Sequence, residues 1–179
     1  IHLPMDQMTA AYDALWEAGK SFGVCNAGHY AINSLRLEKG YRAWGADISP
    51  DDTPFEAGLG FALSWEKETP FIGHDTLLQQ WENLPKRQMV SLVLDDSDVM
   101  IWGNEPILRD GEDVGHTTSA SFGHTIGAGV ALGYIHYEGG ITPEFLDGGR
   151  YEILVDGTAV SAQLFQHAPY DPERKKIRG

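Results

Sequence analysis

The stretch Tyr151-Glu152-Ile153-Leu154-Val155-Asp156-Gly157, with its return over residues 160–165, decides the second half of the chain. A short run of aromatic and branched residues, an Asp-Gly pair and a second short run make the pattern of a β-hairpin. Asp and Gly tolerate the positive φ angles that a tight turn demands.

The same punctuation recurs upstream. Pro106–Arg109 is followed by Asp110-Gly111, and residues 89–94, 114–119 and 129–136 read as further strands. Gly127-Ala128-Gly129 reads as a turn between two of them. Strands this short, at this spacing, predict a small antiparallel barrel or sandwich. Pro85 marks its start, and the polar tail 171–179 is expected on the surface.

Toward the N-terminus the period changes. Met8, Ala11, Tyr12, Leu15 and Trp16 recur at helical spacing, with Pro4 suited to a first turn and Gly19 to a helix end. A second helix is predicted over about 26–37, with Ile32 and Leu35 on its apolar side. Residues 40–60 are irregular and rich in Gly, Asp and Pro. They carry Tyr41, Trp44, Ile48, Phe55 and Leu59, which predicts a packed loop. Residues 61–65 read as a short strand and 74–83 as a short helix with Leu77, Leu78 and Trp81 on one side. The plan is α+β: a helix-rich part over 1–84, then a β-rich part over 85–179.

Composition bounds the function. The 179 residues carry 13 basic and 26 acidic side chains, a net charge of −13. A surface that acidic repels a phosphate backbone, which argues against nucleic acid, and against docking on an anionic membrane. The single Cys25 leaves no intrachain disulfide and is read as a small buried hydrophobe rather than a nucleophile. The seven histidines form neither an H-x-H nor an H-E-x-x-H pattern, so no metal site is expected. No G-x-S-x-G elbow is present, and the glycines of 123–133 do not form a phosphate cradle.

The chemically informative stretch is Tyr30-Ala31-Ile32-Asn33-Ser34-Leu35-Arg36-Leu37-Glu38-Lys39-Gly40-Tyr41-Arg42. Glu38 falls near a helix C-terminus, where the helix dipole disfavours an anion. Read from the residues alone, it is a solvated carboxylate paired with Arg36 or Arg42.

Residues 35–47, Leu35-Arg36-Leu37-Glu38-Lys39-Gly40-Tyr41-Arg42-Ala43-Trp44-Gly45-Ala46-Asp47, resemble the signature of the glycine cleavage T-protein (aminomethyltransferase) superfamily. Asp52-Thr53-Pro54-Phe55-Glu56-Ala57-Gly58-Leu59 resembles its second block and Phe71-Ile72-Gly73 a third. Glu105-Pro106-Ile107 and Val114-Gly115-His116-Thr117-Thr118-Ser119 resemble its C-terminal barrel. The Tyr-Arg-Ala-Trp-Gly form, with Tyr170-Asp171-Pro172 and Ile177-Arg178-Gly179, is most similar to the branch of dimethylglycine oxidase and the dimethylglycine and sarcosine dehydrogenases.

That resemblance implies the end of a folate-binding aminomethyltransferase domain over 1–84 and a β-barrel over 85–179. It implies tetrahydrofolate as cofactor, with Glu38 accepting from the pterin edge and Tyr30, Leu37 and Lys39 lining the same pocket. Arg87 stands where the family often places an Arg for the carboxylate-bearing tail, and Arg109 is a further basic candidate. The implied reaction oxidises an N-methyl amine on a flavin and passes the one-carbon unit to tetrahydrofolate, giving 5,10-methylenetetrahydrofolate. The catalytic Asp and the FAD domain are expected upstream, because Ile1-His2-Leu3-Pro4 reads as a cut inside a longer polypeptide. No catalytic residue is therefore expected in this chain. Its expected partners are a small-molecule folate and that upstream part. The expected location is the cytoplasm, or the mitochondrial matrix in a eukaryote. The alternative is a non-catalytic regulatory or folate-binding relative of the same fold. A relative that assists iron–sulfur assembly is disfavoured, because Lys39-Gly40-Tyr41 lacks that relative's Cys.

Overall fold

A computed structural model describes residues 1–178; Gly179, the end of the expected tail, lies outside the described residues. Six strands, β1 Arg87–Leu94, β2 Pro106–Arg109, β3 Glu112–Gly123, β4 Ala128–His136, β5 Tyr151–Val155 and β6 Thr158–Phe165, close into a barrel in the order β1-β4-β3-β2-β5-β6. Every pairing is antiparallel. Of the two expected architectures, closure selects the barrel. Both Asp-Gly pairs turn hairpins, with φ of 53° and 87° at Asp110 and Gly111 and 49° and 80° at Asp156 and Gly157. Two successive positive φ angles match the twist of the flanking strands.

Alternation along the strands makes two apolar layers. Inside the barrel, Val90, Leu92 and Leu94 pack with Ile107, Ala131, Ile135 and Ile153. On the outer face, Val93, Ala128, Val130 and Leu132 pack with Leu37. β1 and β4 are thus buried on both faces, which is why they read as nearly continuous apolar runs.

By contact density the chain divides into a unit of Ile1–Ile32 and a second that begins at Asn33. In the first, the helix α1, Met8–Gly19, follows a 3-10 turn that Pro4 precedes, as the spacing predicts. Tyr12 stacks on Trp16 at 6.0 Å and donates to Asn26. Cys25 is exposed, contrary to expectation, because it lies in an irregular segment rather than on an apolar face. Helix α2, His29–Glu38, starts later than predicted, at the bond from Ile32 N to Gly28 O.

Residues 33–84 share the second unit with the barrel, so contacts cross the 84/85 boundary drawn from sequence. The expected strand over 61–65 is absent. The segment begins with a 3-10 turn, Gly60–Ala62, and Trp65 enters an aromatic cluster with Phe55, Phe71, His74 and Trp81. A closed barrel offers no edge for an added strand. Where β6 leaves the start of β1 uncovered, Met89 N already donates to Glu56 O at 2.7 Å. Helix α3, His74–Trp81, occupies most of the predicted span.

A helix not foreseen, α4 Pro143–Asp147, begins at a Thr-Pro pair: Thr142 accepts from Phe145 N, and Pro143 fills the first turn. A last single turn, α5 Lys175–Arg178, lies in the polar tail.

Candidate functional site

Glu38 ends α2, and it is not the solvated, arginine-paired carboxylate that its position suggests. Only 1 % of it is exposed. Its Oε1 accepts from Thr125 N at 2.6 Å and Ile126 N at 3.0 Å, two amides of the turn between β3 and β4. Those donors supply the compensation that the helix C-terminus withholds. Oε2 receives no hydrogen bond among the described residues. Gly123 lies close behind the carboxylate, where a Cβ would stand 3.1 Å from Oε1. Ser34, one turn earlier, donates to Phe122 O at 2.6 Å, so the helix end is bound to the barrel at two levels.

The arginines that could have paired with Glu38 serve elsewhere. Arg36 meets Asp47 at 2.7 Å and also reaches Asn33, Tyr41 O and Ser119 Oγ. The Asp47 side chain is wholly buried and accepts further from Ala43 N and Thr118 Oγ1. Thr118 can reach it because β3 bulges between Thr117 and Ser119, which re-aims one side chain out of the ladder. Arg42 donates to the carbonyls of Gly40, Ala57 and Gly58, and its burial lowers its pKa. Thus both ends of the 35–47 stretch are tied to each other and to the barrel.

The second block is tied down through Asp52 and Glu56. Thr53 and Glu56 exchange hydrogen bonds in the manner of a capping box. Asp52 accepts from Ser49 N and Ser49 Oγ through one oxygen and from Arg87 through the other. Burial pushes the Asp52 carboxyl up, but the bonds from Arg87 and Ser49 outweigh it and hold it below the usual carboxylate range.

The expected site residues therefore fall on separate anchors. Glu38 faces the β3–β4 turn, and Arg87 lies against Asp52 and Tyr134. Lys39 bonds Asp171 through Nζ, at 2.7 Å to the carbonyl and 3.1 Å to Oδ2. It also lines a cavity of about 390 Å³ with Tyr41, Arg42, Phe61 and Arg174, and neither Glu38 nor Arg87 lines that cavity. Leu37 is fully buried, and its side chain packs on the outer apolar layer of the barrel. Tyr30 lies in the first unit and is exposed. Arg109 shares none of these anchors: it pairs with Asp110 and stacks on Phe145 at 4.1 Å.

Sequence reasoning missed Asp47, Asp52 and Tyr134. The two aspartates stand inside the quoted blocks, but no spacing rule marks their partners. Among the described residues no three His, Cys, Asp or Glu side chains converge as metal ligands, and no helix is long and apolar enough to cross a membrane.

Comparison with known proteins identifies the family and agrees with the fold. The model of the GCVT N-terminal domain matches residues 1–67, and that of the glycine cleavage T-protein C-terminal barrel domain matches residues 87–171. Human mitochondrial sarcosine dehydrogenase is 39% identical over the whole chain, which spans 20% of that protein. Human mitochondrial dimethylglycine dehydrogenase is 42% identical over 73% of the chain, or 15% of its own length. The crystal structure of the glycine cleavage system aminomethyltransferase T from Bartonella henselae superposes with a TM-score of 0.73 at 25% identity, covering 90% of this chain and 44% of that one.

Proposed function

We propose that this chain, which belongs to the glycine cleavage T-protein family, supplies one wall of a tetrahydrofolate site in an enzyme that oxidises an N-methyl amine such as sarcosine or dimethylglycine. The observation that carries the reading is the buried Glu38 carboxylate, fixed through Oε1 by two amides and without a donor at Oε2 among the described residues. Such a group is preorganised to accept, and the pterin edge of a folate offers N–H donors. Because Oε1 is already engaged, the fit favours a single charge-assisted bond at Oε2. A bond of that kind contributes about 1.5–3 kcal/mol.

Lys39 and Arg87 are the basic groups proposed to meet the carboxylate-bearing tail, and Tyr30 is kept as a further contact. Leu37 acts indirectly, by seating the end of α2 on the barrel. Tetrahydrofolate, when bound, supplies the amines that take up the one-carbon unit. The flavin and the group that handles the amine are assigned to other parts of the whole protein. Holding both sites in one polypeptide delivers a reactive carbon to its acceptor before water reaches it. The related dehydrogenases are mitochondrial, and the matrix is the proposed location in a eukaryotic cell, the cytoplasm otherwise.

The test is calorimetric titration of the full-length protein with tetrahydrofolate. Glu38→Gln keeps an acceptor for the two amides and is expected to weaken binding about tenfold, equivalent to about 1.4 kcal/mol. Unchanged affinity refutes the role of Glu38. Folate binding without turnover of either amine would place the chain with non-catalytic relatives of the same fold.

A further inference from the structure

Arg87 opens β1, and Tyr134 lies diagonally across the ladder on β4, since Met89 is the register partner of Tyr134 and His136 that of Arg87. Diagonal neighbours of this size touch. The guanidinium carbon lies 3.5 Å from the centre of the Tyr134 ring, a close cation–π stack. One terminal nitrogen, Nη1, donates to Asp52 Oδ1. Asp52 is itself immobilised, because Oδ2 holds Ser49 N at 2.7 Å and Ser49 Oγ at 3.0 Å, and its side chain is only 8% exposed.

The guanidinium is therefore fixed on one face and at one nitrogen. Nε and Nη2 make no hydrogen bond among the described residues, and the side chain keeps 29% of its exposure. The Tyr134 ring is buried, and its hydroxyl finds no partner among the described residues. Burial, with the Asp52 charge beside it, pushes that hydroxyl up to about 12. The hydroxyl makes no hydrogen bond by geometry, although Asp52 lies near enough to raise it, and it is the ring face that the Arg87 guanidinium covers.

We propose that Tyr134 and Asp52 are positioning residues that present the open edge of Arg87 to a carboxylate of an extended anionic ligand. The inference rests on the reading above, in which Arg87 meets the carboxylate-bearing tail of a folate. It adds a specificity device: a planar fork held flat and by one corner can accept a carboxylate side-on, which a lysine ammonium cannot do.

The test compares tetrahydrofolate with a tetrahydropterin that lacks the tail, both titrated into the full-length protein. Arg87→Gln is expected to weaken tetrahydrofolate about tenfold and to leave the tetrahydropterin unchanged. Tyr134→Leu removes the platform and is expected to cost about three- to tenfold for tetrahydrofolate alone. Tyr134→Phe keeps the ring and restores parental affinity. Asp52→Asn, which disturbs packing least, is expected to show the same selective loss of at least about threefold.

Parental affinity in both Tyr134→Leu and Asp52→Asn, with Arg87→Gln impaired, overturns the positioning role and leaves the folate reading intact. Equal loss for both ligands also overturns it, since that is the mark of general destabilisation. If Arg87→Gln binds both ligands like the parent, the tail contact itself is wrong, and the proposal falls with it.

Discussion

Removing the Glu38 side chain perturbs the barrel as well as the proposed ligand. Its Oε1 accepts two backbone bonds, from Thr125 at 2.6 Å and Ile126 at 3.0 Å, across 87 and 88 residues of sequence. Bonds to a charged acceptor contribute about 1.5–3 kcal/mol each, so their joint loss lies between about 3 and 6 kcal/mol. Thr125 is exposed, so water can recover part of that, and the lower end applies. Glu38→Ala is therefore expected to cost about 3 kcal/mol locally. Glu38→Gln still offers an oxygen to both amides; neutral bonds are roughly half as strong as charge-assisted ones, so its cost is about 1–1.5 kcal/mol.

Amide hydrogen exchange in the full-length protein reads this directly. At 1.4 kcal/mol per decade, Glu38→Ala should speed exchange at Ile126 about 100-fold and Glu38→Gln about tenfold. The reasoning is refuted if Glu38→Ala exchanges like the parent, or if Gln is as damaging as Ala.

Other perturbations separate the remaining anchors. Asp47→Ala strips Arg36 of a wholly buried partner and should destabilise the second unit by about 3–5 kcal/mol, while a Thr118→Val change should cost about 1 kcal/mol by denaturant unfolding. Gly115→Ala places a Cβ 1.9 Å from Tyr134 O at a φ of 154°, so it should disrupt the β3–β4 ladder by more than about 3 kcal/mol, visible as lost protection at residues 115 and 135. Asp52 and Glu105 both have depressed pKa values: burial raises each, but bonds from Arg87 and Ser49 to the one, and from Thr117, Trp102 and Gly103 to the other, outweigh it. Their stabilisation is present above the unfolded carboxylate values of about 4 and is lost as pH falls through the lower folded ones. Asp52→Asn should accordingly flatten the acid limb of the stability curve below about pH 4, and an unaltered limb would contradict the ion pair.

The legible parts of this fold were those that depend on neighbours in sequence. The strands announced themselves by short apolar runs, and the two Asp-Gly turns by their tolerance of positive φ. Strand spacing alone leaves barrel and sandwich open, because the β1–β6 seam joins Leu94 to Ala162, far apart in the chain; the barrel is what the family resemblance implies. The 61–65 segment misled because Trp65 and Phe61 carry strand propensity, while an aromatic cluster and the lack of a sheet edge decide the outcome. Glu38 is singled out by its block of neighbours, but its partners are not. Thr125 and Ile126 bind it through main-chain N–H groups, which every residue except proline carries and no motif records. Leu37 is turned about 100° from Glu38 on the helix, and its side chain joins the outer apolar layer of the barrel.

The turn joining β3 to β4 has a consequence for where this chain can change length. Its amides are spoken for by a carboxylate on a distant helix, so an added or deleted residue at 124–127 would pull two donors out of register. The turn at Asp156-Gly157 has no such obligation; a Cβ built on Gly157 meets nothing within 4 Å. An epitope tag or a protease site belongs there, on the hairpin that local sequence alone supports.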